Sequence, residues 1–305
     1  MTGRFFYRVS GWTVASPRAL PYLLPADDAG AAADIEVRFS PLESLEAAES
    51  PIGPFHIHGP RLVDMRTEAG IEIRIADGRT LQVAPHDGVT DGELHTLLFG
   101  PALAVLSQQR GQPALHAAAV TREGPALGIC GHQGAGKSTT VRALIGRGYG
   151  LMSDDQLVTD AAGANAFPSY PFGKLWTSSG PVLGTSVSGE AVARGVEKFH
   201  VSAEDVFCAE TRPLGAIAVL VPTPELDAPE AQLLTPGQAA AVLHRMVHYG
   251  PIGLRMGCGT RNMAWMTRIA RNVPVHIVRR TGDPAQLDQL LDILETCLDR
   301  DALAA

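Results

Sequence analysis

Lysine is scarce in this chain. Of 25 basic residues in 305, only Lys137, Lys174 and Lys198 are lysine; the rest are arginine. Acidic residues number 32, so the formal net charge is −7. That balance argues against a dedicated nucleic-acid binder, which needs a basic face. Cysteine is also sparse. Cys130, Cys208, Cys258 and Cys297 show no CxxC spacing, and a chain of this length needs no disulfide staple, so reduced thiols are expected. Long apolar runs are missing too. The longest, residues 216–221 (AIAVLV), is six residues, against the roughly 20 that a spanning helix needs. Arg4, Arg8 and Arg18 interrupt any signal-peptide core at the N-terminus. The expectation is a soluble, cytoplasmic protein with no membrane partner.

What is present is enough apolar material for sizeable cores, 45% of residues. At roughly 150 residues per domain, the length predicts about two domains. The first 90 residues read as short strands and loops, with strands over 34–39 and 55–58. Ile71, Ile73 and Ile75 alternate with polar residues, Asp77 and Gly78 supply a tight turn, and Leu81 and Val83 resume the alternation. That is a hairpin pattern. Thr90 and Glu93 have capping-box spacing and open a helix to about residue 99. Gly100 and Pro101 are expected to break it, with a second helix running to about 109. A turn-rich stretch at 110–113 (RGQP) marks the boundary between residues 1–112 and residues 113–305.

The second part changes character. Segments 114–120 and 125–130 read as apolar strands, 138–147 as an amphipathic helix, and 150–155 as a short strand ending in two carboxylates. A buried strand over 214–221 follows, then helices over 235–250 and 261–272, a strand over 275–278, and a final amphipathic helix from Asp283 to about 298. The expected architecture is a smaller β-rich (α+β) module followed by an α/β domain.

Residues 131–138 (GHQGAGKS) match G-x-x-x-x-G-K-[ST]. Glycines let backbone N–H groups turn inward around phosphate oxygens, and the following helix N-terminus adds its positive dipole end. Gly131, His132, Gln133, Gly134, Ala135, Gly136, Lys137, Ser138 and Thr139 are therefore candidate nucleotide-binding residues. Lys137 would reach the β/γ-phosphates and Ser138 would serve Mg²⁺. The GxGxxG dinucleotide spacing does not fit. No Asn-Lys-x-Asp guanine motif occurs, because no Asn precedes any lysine. Asp154 and Asp155 close the next strand, at the sheet edge where functional groups gather. Two adjacent carboxylates there allow one to hold metal and the other to accept a proton.

Three segments in order, LHAAAV (115–120), GHQGAGKST (131–139) and RGYGLMSDD (147–155), resemble the catalytic domain of the HPr kinase/phosphorylase family. The resemblance implies an HPr-kinase-like P-loop domain that uses ATP and Mg²⁺ to phosphorylate a serine. It implies Asp154 as general base, Asp155 near Mg²⁺, and His116 beside the pair. His132 and Gln133 stand where the family usually has Asp-Ser, and its later Leu-Glu-Ile-Arg-Gly segment is absent. These departures speak against the reverse reaction and against HPr as acceptor. YRVSGWTVAS (7–16), DGELHTLLFGPAL (91–103), PSYPFGKLW (168–176), EKFHV (197–201) and RRTGDPAQL (279–287) resemble a narrower branch, the lasso peptide precursor kinases. That branch implies a peptide partner phosphorylated on its C-terminal serine. The N-terminal module would then recruit the peptide or build a homo-oligomer.

In so arginine-rich a chain the two further lysines stand out. An ammonium is a compact point charge that arginine does not replace freely, so Lys174 and Lys198 are candidates for neutralising the transferring phosphoryl group. Arg142, Arg212 and Arg245 are weaker candidates. His56 with His58, and His244 with His248 at i, i+4, lack the further ligands of a metal site and read as strand and helix faces. Cys258 reads as structural. Two other functions stay open at this point. One is a kinase for a free small hydroxy compound, such as serine or a sugar. The other is a nucleotide-sensing module that transfers nothing.

Overall fold

The computed structural model describes residues 4–26, 32–45, 51–84, 87–184, 187–193 and 195–298. It is a mixed α/β structure. Among the described residues, seven strands form an N-terminal sheet: β1 (Phe5–Val9), β2 (Trp12–Ser16), β3 (Ile35–Phe39), β4 (Phe55–Gly59), β5 (Leu62–Arg66), β6 (Glu72–Ala76) and β7 (Thr80–Val83). Their order is β1-β2-β3-β7-β6-β5-β4. The β6–β7 hairpin turns on Asp77 and Gly78, both with positive φ (59° and 62°). That is the two-residue turn whose twist matches the flanking strands. Ile73, Ile75 and Leu81 point into the core and are fully buried.

Helix α1 (Asp91–Leu97) begins at the Thr90–Glu93 capping box. The chain does not break at Gly100 and Pro101, as the sequence predicts. It continues through a π-helical turn (Leu98–Ala102) directly into α2 (Leu103–Arg110). A wider turn tolerates the missing N–H of proline, and here the carbonyls of Phe99 and Gly100 gain an outside partner. The Gln156 amide donates to both, which offsets the disrupted ladder.

The second sheet is built on β15 (Arg212–Pro222), the longest strand. It pairs in parallel with β9 (Ala126–Cys130) on one side and β17 (Val275–Arg280) on the other. Beyond β9 lie β8 (Ala117–Thr121) and β10 (Gly150–Ser153); beyond β17 lies β16 (Glu230–Leu233). The short strands β11 (Val158–Thr159) and β12 (Asn165–Phe167) continue from the start of β15. A separate hairpin joins β13 (Phe172–Trp176) to β14 (Lys198–Ser202). Helix α3 (Lys137–Gly146) follows β9, and the four-residue α4 (Gly180–Leu183) follows β13.

Helix α5 (Pro236–Arg245) ends earlier than the sequence predicts. Tyr249 adopts a left-handed conformation (φ 52°), which turns the chain into α6 (Gly250–Arg255). Helices α7 (Gly259–Asn272) and α8 (Leu287–Thr296) complete the chain. The apolar faces of α5 and α7 cover one side of the second sheet and those of α3 and α8 the other. The N-terminal core is continuous across the chain. It includes Val9, Ile73 and Phe99 together with Tyr170, Ile252 and Met256.

Candidate active site

Strand β8 runs antiparallel to both β9 and β10. The carboxyl ends of β9 and β10 therefore share an edge with the amino end of β8. This places the 131–136 loop, the Asp154–Asp155 pair and His116 side by side. His116 precedes β8 in a bend, not in the strand, with its N–H bonded to the Met246 carbonyl. The β13–β14 hairpin crosses the same edge and brings in Lys174 and Lys198. Loop residues 132–136, with Lys137, Ser138, Thr139, His116, Asp154, Asp155, Lys174 and Lys198, all line one cleft of about 460 Å³. Gly131, at the foot of the loop, accepts a bond from Lys137. All three lysines of the chain face this one space.

The Lys137 ammonium donates to the Gly131 carbonyl at 2.7 Å and to His116 Nε2 at 2.9 Å. Burial pushes the His116 imidazole down to about 4, although Asp155 pulls the other way. A neutral ring that accepts at Nε2 carries its proton on Nδ1, which faces Asp155 Oδ1 at 3.9 Å.

The two aspartates differ. Asp154 is buried, and its Oδ2 accepts from the Lys174 backbone N–H at 2.7 Å. Burial, then the neighbouring Asp155 charge, raise its pKa above the ordinary carboxylate value. Asp155 forms an ion pair with Lys174 at 2.8 Å. Burial alone would raise Asp155, but the Lys174 ammonium outweighs it and holds it well below the usual range. Burial likewise opposes the Lys174 charge, and Asp155 overcomes it, so that ammonium stays protonated. The Lys198 ammonium lies 5.7 Å from the Trp176 ring. Trp176 is 42% exposed.

Several cleft residues escape the sequence reading. His248 was expected on a helix face with His244; α5 ends before it, and it lines the cleft with its ring 4.6 Å from that of His116. Burial pushes it down to about 3. The turn bearing His248 and Tyr249 is held by Gln108 of α2, whose amide donates to both carbonyls and accepts from Asn262 at 2.8 Å. Gly253 leaves the Gln108 amide its place, because a Cβ there would force that amide to shift. Thr96, Gly100 and Pro101, from the first third of the chain, form the wall opposite the loop. Arg280, at the end of β17, donates to the Ala135 carbonyl at 3.1 Å. Thr96, Gly100, Pro101 and Arg280 lie in segments that carry the sequence resemblance, but no spacing there marks them as cleft residues, since each arrives by tertiary packing.

The other candidates lie elsewhere. Arg142 caps the Val201 carbonyl at 3.1 Å, behind Asp154. Arg212 pairs with Glu210, and Arg245 is exposed at the end of α5. His58 sits 3.3 Å from Asp64 in the N-terminal sheet. Cys258 is buried and receives a bond from Arg261. All four cysteines are free.

The donor set suits a hard cation held mainly by phosphate. Among the described residues no group of three His, Cys, Asp or Glu could hold a metal by itself. Mg²⁺ characteristically takes one or two protein oxygens and completes its shell with phosphate and water; Ser138 and Asp155 offer two. Among the described residues no helix is long and apolar enough to cross a membrane.

No family model and no curated protein matches the chain. Among solved structures it is similar to the Hpr(Ser) kinase/phosphatase from Coxiella burnetii, at 14% identity and a TM-score of 0.32. The match covers 63% of this chain and 99% of that one. A likeness of that size assigns neither a reaction nor a substrate.

Proposed function

We propose that this chain is an ATP- and Mg²⁺-dependent kinase that phosphorylates a serine hydroxyl of a peptide. The observation that carries this reading is the meeting of the phosphate-binding loop with two adjacent carboxylates of opposite character in one cleft. Paired titratable groups pushed apart by their surroundings divide acid–base roles. Asp154, with its raised pKa, is the better proton acceptor. Asp155, held ionised, is the better metal ligand, alongside Ser138. Lys137 and the loop amides would hold the β- and γ-phosphates. A smaller cavity of about 140 Å³ adjoins at Thr139 and is lined by Arg280 and Asp283.

In the transfer the serine oxygen forms a bond to the γ-phosphorus, and its proton passes to the Asp154 carboxylate. The bond from the γ-phosphorus to the bridging oxygen breaks, and ADP leaves with that electron pair. The transition state is loose, so positioning and charge neutralisation do most of the work. Lys174 and Lys198 supply two ammonium groups for that purpose, and neutral His116 would keep Lys137 aimed. The C-terminal serine of a lasso precursor is the acceptor that the sequence resemblance favours.

Incubation with γ-labelled ATP, Mg²⁺ and a panel of serine-terminated peptides tests the proposal. Label should appear on a peptide serine. Label on free serine or a sugar instead would favour a small-molecule kinase. Tight nucleotide binding with no transfer would overturn the kinase reading.

A further inference from the structure

The cleft has two unlike walls. One is the phosphate loop; the other is the stretch from Thr96 through Gly100 and Pro101, where the helix widens into a π turn. π turns recur at functional sites because they displace backbone from its helical course. Here the displaced backbone is anchored to the catalytic edge. Gln156, the residue after the aspartate pair, donates to the Phe99 carbonyl at 2.8 Å and also to that of Gly100. Gly100 is buried, and its backbone lines the cleft beside the reacting groups. A Cβ added there would have one neighbour within 4 Å, the Lys174 ammonium at 3.9 Å. Its φ is not positive, and although a residue before proline in a helical turn favours glycine, the space beyond its Cα is also open on the cleft side. What glycine provides is open space beside the Lys174–Asp155 pair.

We propose that the Thr96–Gly100–Pro101 wall is the acceptor subsite, and that glycine at position 100 leaves room for the acceptor main chain to cross the cleft. The proposal rests on the kinase reading and deepens it. The acceptor class is a primary hydroxyl on a short arm, carried by a peptide whose backbone lies over Gly100. The nucleotide enters from the opposite, loop side. Acceptor choice therefore belongs to residues from the first third of the chain, which carry none of the phosphate chemistry.

A side-chain series at position 100 tests this, because a Cβ there meets no backbone outside its own helix; since a side chain before proline crowds the ring, an unchanged melting temperature and ATP affinity check that the turn persists. With serine-terminated peptides, Gly100→Ala should raise the acceptor KM about tenfold. Gly100→Leu should lower transfer efficiency about 100-fold. The dissociation constant for ATP, measured by calorimetry, should stay within about twofold, and free L-serine should be affected less than any peptide. Full peptide transfer by Gly100→Leu would overturn the subsite. So would a fall in ATP affinity parallel to the loss of transfer, since position 100 would then belong to the nucleotide side. If the unaltered protein labels no acceptor, the kinase reading fails and this subsite fails with it.

Discussion

Asp154 and Asp155 are neighbours in the chain and opposites in their surroundings. If Asp154 is the base, Asp154→Asn should lower transfer by about 10³-fold or more while ATP binding survives. The pH profile adds a sign. Transfer requires Asp154 ionised, so its rate should rise with pH through a pKa above the ordinary carboxylate value, the direction set by burial and by Asp155. Single-turnover rates at stepped pH would show that limb; a limb at the normal carboxylate position would remove Asp154 from the role. At the same scale, Lys174→Met strips Asp155 of its 2.8 Å partner and should cost about 10²-fold in transfer. Lys198→Met should cost less, since Lys198 has an aromatic neighbour and no ion pair among the described residues. Full turnover in both variants would end the phosphoryl-neutralising role.

At the scale of elements, the turn between α5 and α6 is the place to look. Gln108, fully buried, satisfies two carbonyls and the Asn262 amide at once. Gln108→Leu would strand those groups, each at about 1–3 kcal/mol. The expected outcome is a loss of about 3 kcal/mol in denaturant unfolding, with slower transfer because His248 and Tyr249 lose their anchor. What could be read in the sequence follows the same division. The Asp77–Gly78 hairpin, the Thr90 capping box and the strand–loop–helix around Lys137 are set by neighbours within a few residues, and the residues announce them. The π turn is not announced: Gly100 and Pro101 signal a break locally, and only the distant Gln156 amide makes continuation favourable. His248 was hidden for a related reason. Its i, i+4 spacing from His244 implies one helix face, whereas the left-handed Tyr249 ends that geometry. The aspartate pair was legible as a pair, but its division into a buried and an ion-paired member depends on Lys174, twenty residues on.

For the whole molecule, the buried histidines make stability depend on acid. His95, His116, His200 and His248 are all held below the usual imidazole value, chiefly by burial. Their folded pKa values lie below the unfolded one, so the unfolded chain binds protons first as pH falls. The stability they contribute is whole above about pH 6.5. It should drain away towards pH 4, about where His116 and His200 titrate in the folded protein. Thermal melting at stepped pH should show Tm falling across that window. His95 is the cleanest probe: it is buried, and neither ring nitrogen has a hydrogen-bond partner. His95→Leu should flatten the slope and change stability at pH 7 by no more than about 1 kcal/mol. An unchanged slope would show that other groups cause the acid sensitivity.

One bond reaches further than its length implies. Arg280 holds the Ala135 carbonyl of the phosphate loop, and β15 must pair with both β9 and β17 before that bond can form. Pairing between segments so far apart in the chain closes late, because loop entropy must be spent first. During synthesis the loop emerges well before its brace, which lies 145 residues later. A ribosome-bound chain halted before β17 should be unable to retain ATP, and capacity should appear abruptly once residue 280 clears the exit tunnel. The nucleotide would thus bind only chains in which β17 is already in place.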